Sequence, residues 1–286
     1  MKLPQLKSVS FLMRLRKRFS CIEMTIPLKE KVLEENRRVH ALENQLYLSR
    51  HPEQTNFFQN LIVEKNLDQI CCNLNKNAKV LDLGCGTGYL FLRFLRRGFD
   101  VTGLDISSEM IQVLKNSVSD SEKKRAHLEV GDVEEFFERN QEEFDLVVFS
   151  AVLHHLFDYE TILKKACQRL KAGTKILIFF EPLRQSVAPS LRYSLHRILS
   201  WIDEKSYRLE MQKRNIPLLE NEYHHSDYQR QFGGIDPRDI EKILKEENCS
   251  ILNTEKYCAR RFGINAWFAN RILKTQNTFN ILVLRN

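Results

Sequence analysis

Ten consecutive residues constrain the fold of this 286-residue chain more than any others: Val80-Leu81-Asp82-Leu83-Gly84-Cys85-Gly86-Thr87-Gly88-Tyr89. An apolar run suited to a buried strand passes straight into alternating glycines and then into helix-forming residues. Glycine lets the backbone adopt positive φ and come within van der Waals distance of a ligand. The helix that follows offers unpaired N–H groups to a polar or anionic group. A plain turn needs no such run, because each glycine costs backbone entropy on folding, so the segment reads as a cofactor loop. A dinucleotide fingerprint, G-x-G-x-x-G, requires glycine at position 89, where tyrosine stands. That spacing argues against a nicotinamide oxidoreductase.

The chain after the loop repeats the same texture. β-rich runs at Lys79 to Leu83, Asp100 to Asp105, His127 to Gly131, Asp145 to Ser150 and Lys175 to Glu181 alternate with helical stretches at about 89 to 97, 108 to 118, 133 to 140 and 158 to 171. This spacing predicts βαβ units and a parallel sheet covered on both faces. A helix from Asp236 to about Glu247 and strands at Ile251 to Tyr257 and Phe279 to Leu284 would complete it. No glycine precedes Gly84, and residues 28 to 72 predict two helices, at about 28 to 48 and 53 to 72, with Pro52 opening the second. Ser107 and Ser108 read as caps of the helix that follows them.

The stretch Asp82-Leu83-Gly84-Cys85-Gly86-Thr87-Gly88 closely resembles the signature loop of the class I S-adenosylmethionine-dependent methyltransferases. Further stretches agree in order and spacing: Val101-Thr102-Gly103-Leu104-Asp105, Gly131-Asp132-Val133, Phe144 to Ser150 with Ala151-Val152-Leu153-His154-His155-Leu156, and Leu170 to Ile178. The resemblance covers about residues 75 to 182. It implies a Rossmann-like, doubly wound α/β fold, with a mostly parallel seven-stranded sheet whose last strand is antiparallel. It implies S-adenosylmethionine as methyl donor, S-adenosylhomocysteine as product and no metal. The cofactor residues it implies are Asp82, Gly84, Cys85, Gly86, Thr87, Gly88, Ile106 and Ser150, with Asp105 on the ribose hydroxyls, Asp132 on the adenine amino group and the Val133 amide facing the ring. It also places the helices of residues 28–74, and an insertion at about 183–235, over the active site of a domain spanning 75–286.

Because a sulfonium is already a strong electrophile, positioning supplies much of the rate, and a general base matters for an acceptor that must lose a proton. The candidates are His154, His155 and Glu181, all at carboxyl ends of strands, where open α/β sheets bind ligands. Tyr223, His224, His225 and Tyr228 are more remote options. His224 and His225 lack a third ligand at metal-site spacing. Within the insertion, Arg184, Arg192, Tyr193, His196, Arg197 and Trp201 read as an amphipathic helix with a solvated basic face. Residues 256–274 carry Lys256, Arg260, Arg261, Arg271 and Lys274 with aromatics and no acid, which suits anionic lipid, nucleic acid or a partner, or simply a cover over the core.

Composition adds bounds. Forty-four Lys and Arg against 37 Asp and Glu leave +7, favouring contact with something anionic. Seven cysteines without a CxxC read as reduced thiols of a cytoplasmic protein. Residues 1–27 read as a basic arm, since its cations interrupt any secretory core: frayed, lying on a membrane surface, or an organelle-targeting peptide if the source is eukaryotic. These readings converge on a methyltransferase for a small or lipid-like acceptor, at oxygen or carbon, with peripheral contact to an anionic membrane as an option. The rivals are a nucleic-acid methyltransferase and a non-catalytic S-adenosylmethionine-binding subunit or sensor.

Overall fold

The computed structural model describes residues 22–184, 191–219 and 222–286. The described chain opens with helices α1 (Ile22–Glu43), α2 (Tyr47–Arg50), α3 (Pro52–Thr55) and α4 (Phe57–Cys71). Most of the basic arm lies outside the described residues; where description begins, at Ile22, the backbone is already helical. Pro52 does open a helix, but the continuous helix expected from 53 to 72 is interrupted at Asn56. Asn56 is extended, and its Oδ1 accepts the Gln59 amide at 3.0 Å, so a new N-cap outcompetes continuation.

Strands β1 (Lys79–Leu83), β2 (Asp100–Asp105), β3 (Ala126–Val130), β4 (Leu146–Ser150), β5 (Lys175–Pro182), β6 (Cys249–Tyr257) and β7 (Thr278–Arg285) form one seven-stranded sheet in the order β3-β2-β1-β4-β5-β7-β6. The first five pair in parallel, and β7 lies antiparallel between β5 and β6. Between them run α5 (Phe91–Arg96), α6 (Ser108–Ser117), α7 (Val133–Arg139), α8 (Tyr159–Arg169), α9 (Leu191–Lys213), α10 (Pro237–Glu246) and α11 (Gly263–Phe268). Ser107, Asp132, Asp158 and Asp236 cap four of these helices through side-chain oxygens.

Each face of the sheet has its own core. Val80, Val101 and Val148 pack under Ile62, Phe91 and Phe94, whereas Leu81, Phe149 and Ile178 pack under Phe136, Leu163 and Ile240. Central strands buried on both sides explain the unbroken apolar runs in the sequence. Helix α4 belongs to the first core, so only the segment before it, through α3, is available to cover the site.

The loop after β1 is held by all three glycines at positive φ, but for different reasons. A Cβ on Gly84 would lie 2.4 Å from Val152, and one on Gly88 2.3 Å from Leu114, whereas one on Gly86 would meet nothing within 4 Å. Alanine at 84 or 88 is expected to cost about 1–2 kcal/mol for the left-handed backbone and about 1–3 kcal/mol more for overpacking. Alanine at 86 incurs only the first cost, and urea titrations of the three variants check this difference.

Candidate active site

The carboxyl ends of β1, β2 and β4 form the floor of a cleft. Asp82, Gly84, Cys85, Gly86, Thr87, Asp105, Ile106, Asp132, Val133 and Ser150 line it. Gly88 does not; it is used to pack the loop against α6. Asp105 Oδ2 accepts the Gly86 amide at 2.8 Å and Oδ1 the Ser107 amide at 2.9 Å. Each oxygen keeps a lone pair for a ligand hydroxyl. Asp132 Oδ1 is committed to the amides of Glu134 and Glu135 as the cap of α7, which leaves Oδ2 for a ligand.

Asp82 is buried with neither carboxylate oxygen hydrogen-bonded, and the hydroxyl of Thr87 is similarly orphaned. Burial, aided by the charge of Asp105, pushes Asp82 up to about 8. An ammonium or hydroxyl from a ligand would supply the missing donor. Ile106 and Val133 on the floor, with Met110 and Leu33 around them, give a flat ring apolar walls. A spare-paired carboxylate for ribose, a loop open to backbone approach and an orphaned acid together fit S-adenosylmethionine.

The roof comes from elements with no recognisable motif. Leu33, Asn36 and His40 of α1, Tyr47 of α2 and Gln54 of α3 face the floor across the cleft. Asn36 donates to the His155 carbonyl at 3.2 Å. Glu35 accepts the backbone amides of His224, His225 and Ser226, and Arg38 pairs with Glu222, so α1 is tied to the loop after α9. Glu43, 1% exposed, accepts from His51 Nε2 at 2.7 Å and from the Tyr223 hydroxyl, with His40 Nδ1 at 3.4 Å. His51 Nδ1 in turn lies 3.1 Å from Glu53. Against burial, the two carboxylates push His51 up to about 10. A bridging imidazolium therefore fastens α1 to α3.

Beside the cleft lies a second, more polar pocket bounded by this network, by Tyr207 of α9 and by Arg230 and Arg261. His155 lines both spaces, as do His40, Tyr47, Gln54, Ala151 and Phe180, and so sits at their junction. Its Nδ1 lies 2.7 Å from the Ser226 carbonyl, which requires the proton on Nδ1, and 3.4 Å from Asp227. Nε2 has no hydrogen bond among the described residues. Burial, with His154 adding to it, lowers the His155 pKa well below the ordinary histidine value. Asp227, despite its burial, is held below the usual carboxylate range by His155 and Arg230.

Glu181 is not available as a base. A bulge in β5, with Phe180 at φ +61°, turns its side chain inward, where it has no exposure. Oε1 accepts the amides of Val152 and Leu153, both at 2.9 Å, and Oε2 accepts the amide of His154 and lies 2.9 Å from its Nδ1. His154 is thereby pinned, facing the second pocket and not the cofactor cleft. Tyr228 is buried between Phe157 and Phe232, and His224 and His225 meet Glu35 of α1 through their backbone amides. Asn36, His40, Glu43, His51 and Asp227 were not singled out from the sequence. The i,i+3 pair His40 and Glu43 on one helical face was the one local signal available.

The His51 bridge carries a pH signature. Its folded pKa lies above the unfolded value of about 6.5, so its contribution to stability is complete below that pH and is lost as pH rises towards 10. The difference in melting temperature between wild type and His51→Gln is expected to be largest at or below pH 6.5 and to shrink steadily on the alkaline side. A difference independent of pH would refute the charged bridge.

Comparison with known proteins agrees with this geometry. A family model described as a methyltransferase domain matches residues 74–194. The mitochondrial ubiquinone biosynthesis O-methyltransferase of Homo sapiens is 39% identical over 102 residues, 35% of this chain and 28% of that protein. The ubiquinone biosynthesis O-methyltransferase of Idiomarina loihiensis is 29% identical over 132 residues, 46% of this chain and 53% of that protein. The chain thus spans about half or less of the length of these relatives. Among solved structures, the magnesium protoporphyrin IX methyltransferase of Synechocystis PCC 6803, with bound S-adenosylhomocysteine, superposes with a TM-score of 0.55 at 16% identity, covering 88% of this chain and all of that one, which shows a shared fold. Over residues 74–194, the glycine loop, the strand order and the matching family model make this chain similar to S-adenosylmethionine-dependent methyltransferases.

Proposed function

We propose that the chain transfers a methyl group to an oxygen of a small acceptor seated in the polar pocket, with His155 as general base. The observation that carries this reading is the position of His155 at the junction of the two spaces, with its proton fixed on Nδ1 and its Nε2 free. S-adenosylmethionine supplies an activated methyl whose sulfur leaves as a neutral thioether. His155 Nε2 takes the hydroxyl proton as the acceptor oxygen closes on the methyl carbon. Asp227 and the Ser226 carbonyl hold the ring in the required tautomer and steady the imidazolium that results. Asp105, oriented by the Gly86 amide, would accept the ribose hydroxyls, and the roof of α1 excludes water.

The names of the curated relatives, O-methyltransferases of ubiquinone biosynthesis, support oxygen as the accepting atom. Arg230, Arg261 and the His51 imidazolium favour an acceptor that carries a polar or anionic group near its hydroxyl. The roof closed by α1 and the loop at 222–227 favours a small molecule over a nucleic-acid strand. One cluster supports a second reading: His154, His155 and Asp227 bring one potential ligand atom each within 4.8 Å of one another, a spacing that suits a divalent cation.

Turnover with methyl-labelled S-adenosylmethionine and fractionated extract tests the proposal. Label is expected in a small-molecule fraction, and the isolated product then serves for kinetics. His155→Ala is expected to lower kcat by about 10²–10⁴ while leaving S-adenosylhomocysteine affinity intact. Because burial depresses His155, kcat/KM is expected to stay flat through neutral pH and fall only below about 6.5. Full activity of His155→Ala would rule out the base. Loss of activity in chelator, restored by a divalent cation, would reassign His154, His155 and Asp227 as metal ligands.

A further inference from the structure

Helix α9 has two unlike faces. Asp203, Tyr207 and Met211 are buried against the domain, and Asp203 binds Arg260 at 2.8 Å and Asn265 at 2.6 Å. On the opposite face Leu191, Leu195, Ile198, Ile202 and Leu209 follow one another at helical spacing, all exposed. The sequence had suggested a solvated basic face here; the outward stripe is apolar instead. Large aliphatic side chains left in water along a helix mark a binding surface.

Two further features identify what binds. The chain has two tryptophans, and both are exposed here: Trp201, 58% exposed, beside the stripe, and Trp267, 46% exposed, on α11. The turn after α11 packs on α9, so the two helices form adjoining surface. Indole rings are favoured at a water–lipid boundary. The charges along this surface have one sign. Asp203, Glu204 and Glu210 of α9 are all ion-paired, to Arg260, Arg261 and Arg214. Arg192, Arg197, Lys213, Arg271 and Lys274 are exposed and have no carboxylate within ion-pair distance among the described residues. No helix among the described residues is long and apolar enough to span a bilayer.

We propose that α9, with α11 beside it, docks the protein on an anionic lipid bilayer, lying in the headgroup region with its aliphatic stripe down and its free cations among the lipid charges. A second copy is a poorer occupant. A two-fold contact through α9 would set Arg192 and Arg197 of one copy against Lys213 of the other, with no acid to relieve them. The inner face of the same helix brings Tyr207 to the second pocket, so docking and pocket wall share one element.

The full chain is tested by sedimentation with vesicles of phosphatidylcholine alone and of phosphatidylcholine mixed with phosphatidylglycerol. Binding to the mixed vesicles, weakened by salt, is expected, with little to the neutral ones. Brominated phosphatidylglycerol is expected to quench the fluorescence of both tryptophans in the unaltered protein. Ile198→Glu with Ile202→Glu, both on the exposed face, is expected to reduce vesicle binding about tenfold or more without changing the melting temperature. Absence of anion-dependent binding, absence of tryptophan quenching, or undiminished binding by the folded variant would each overturn the proposal. So would a dimer in size-exclusion chromatography that the same substitutions dissociate, because it would assign the face to a second copy.

Discussion

A single buried carboxylate organises the reactive end of the sheet. Glu181 has no solvent contact, and its four hydrogen-bonding partners all lie in the turn that leaves β4, three of them backbone amides. Removing this acceptor would strand its donors in an apolar interior at a cost of about 3–5 kcal/mol. The bulge that aims Glu181 inward and the left-handed Ala151 that begins the turn are both strained, at φ +61° for Phe180 and +52° for Ala151. Such strain persists where the surroundings over-determine it, and here it orders the backbone that carries His155.

The second constraint is the fastening of α1. The helix has little reason to lie over the sheet on apolar grounds alone, since Val32 and Val39 are its buried hydrophobic residues among those described. Polar contacts hold it: Glu35 on three loop amides, Glu43 with His51 and Tyr223, and Arg50 donating to the carbonyls of Leu42 and Glu43. Bonds of this kind can be exchanged with water at modest net cost.

How much of this was legible in the sequence follows from the range of each interaction. Strand positions agreed to within about two residues because apolar runs and caps are local signals, and Asp82, Gly86 and Asp105 were readable because the cofactor loop is one contiguous stretch. The helical insertion was seen only as weak periodicity, because α9 has apolar residues on its outer face as well as aromatic and charged ones inside, which blurs a single amphipathic stripe. Glu181 looked like a candidate base because its place at a strand end is right; the bulge that turns it inward depends on pairing with β7, a hundred residues on. Beyond the i,i+3 pair of His40 and Glu43, the network was not legible, because it ties α1 to Tyr223 and Glu222, some 180 residues on.

Catalysis by His155 requires its Nε2 to face the methyl donor. A crystal structure with S-adenosylhomocysteine bound tests this directly. The ribose hydroxyls are expected on Asp105, the amino group near Asp82 and the sulfur facing the pocket that His155 Nε2 borders. A nucleoside bound with its sulfur turned away from His155, or seated outside the cleft between α1 and the glycine loop, would contradict it.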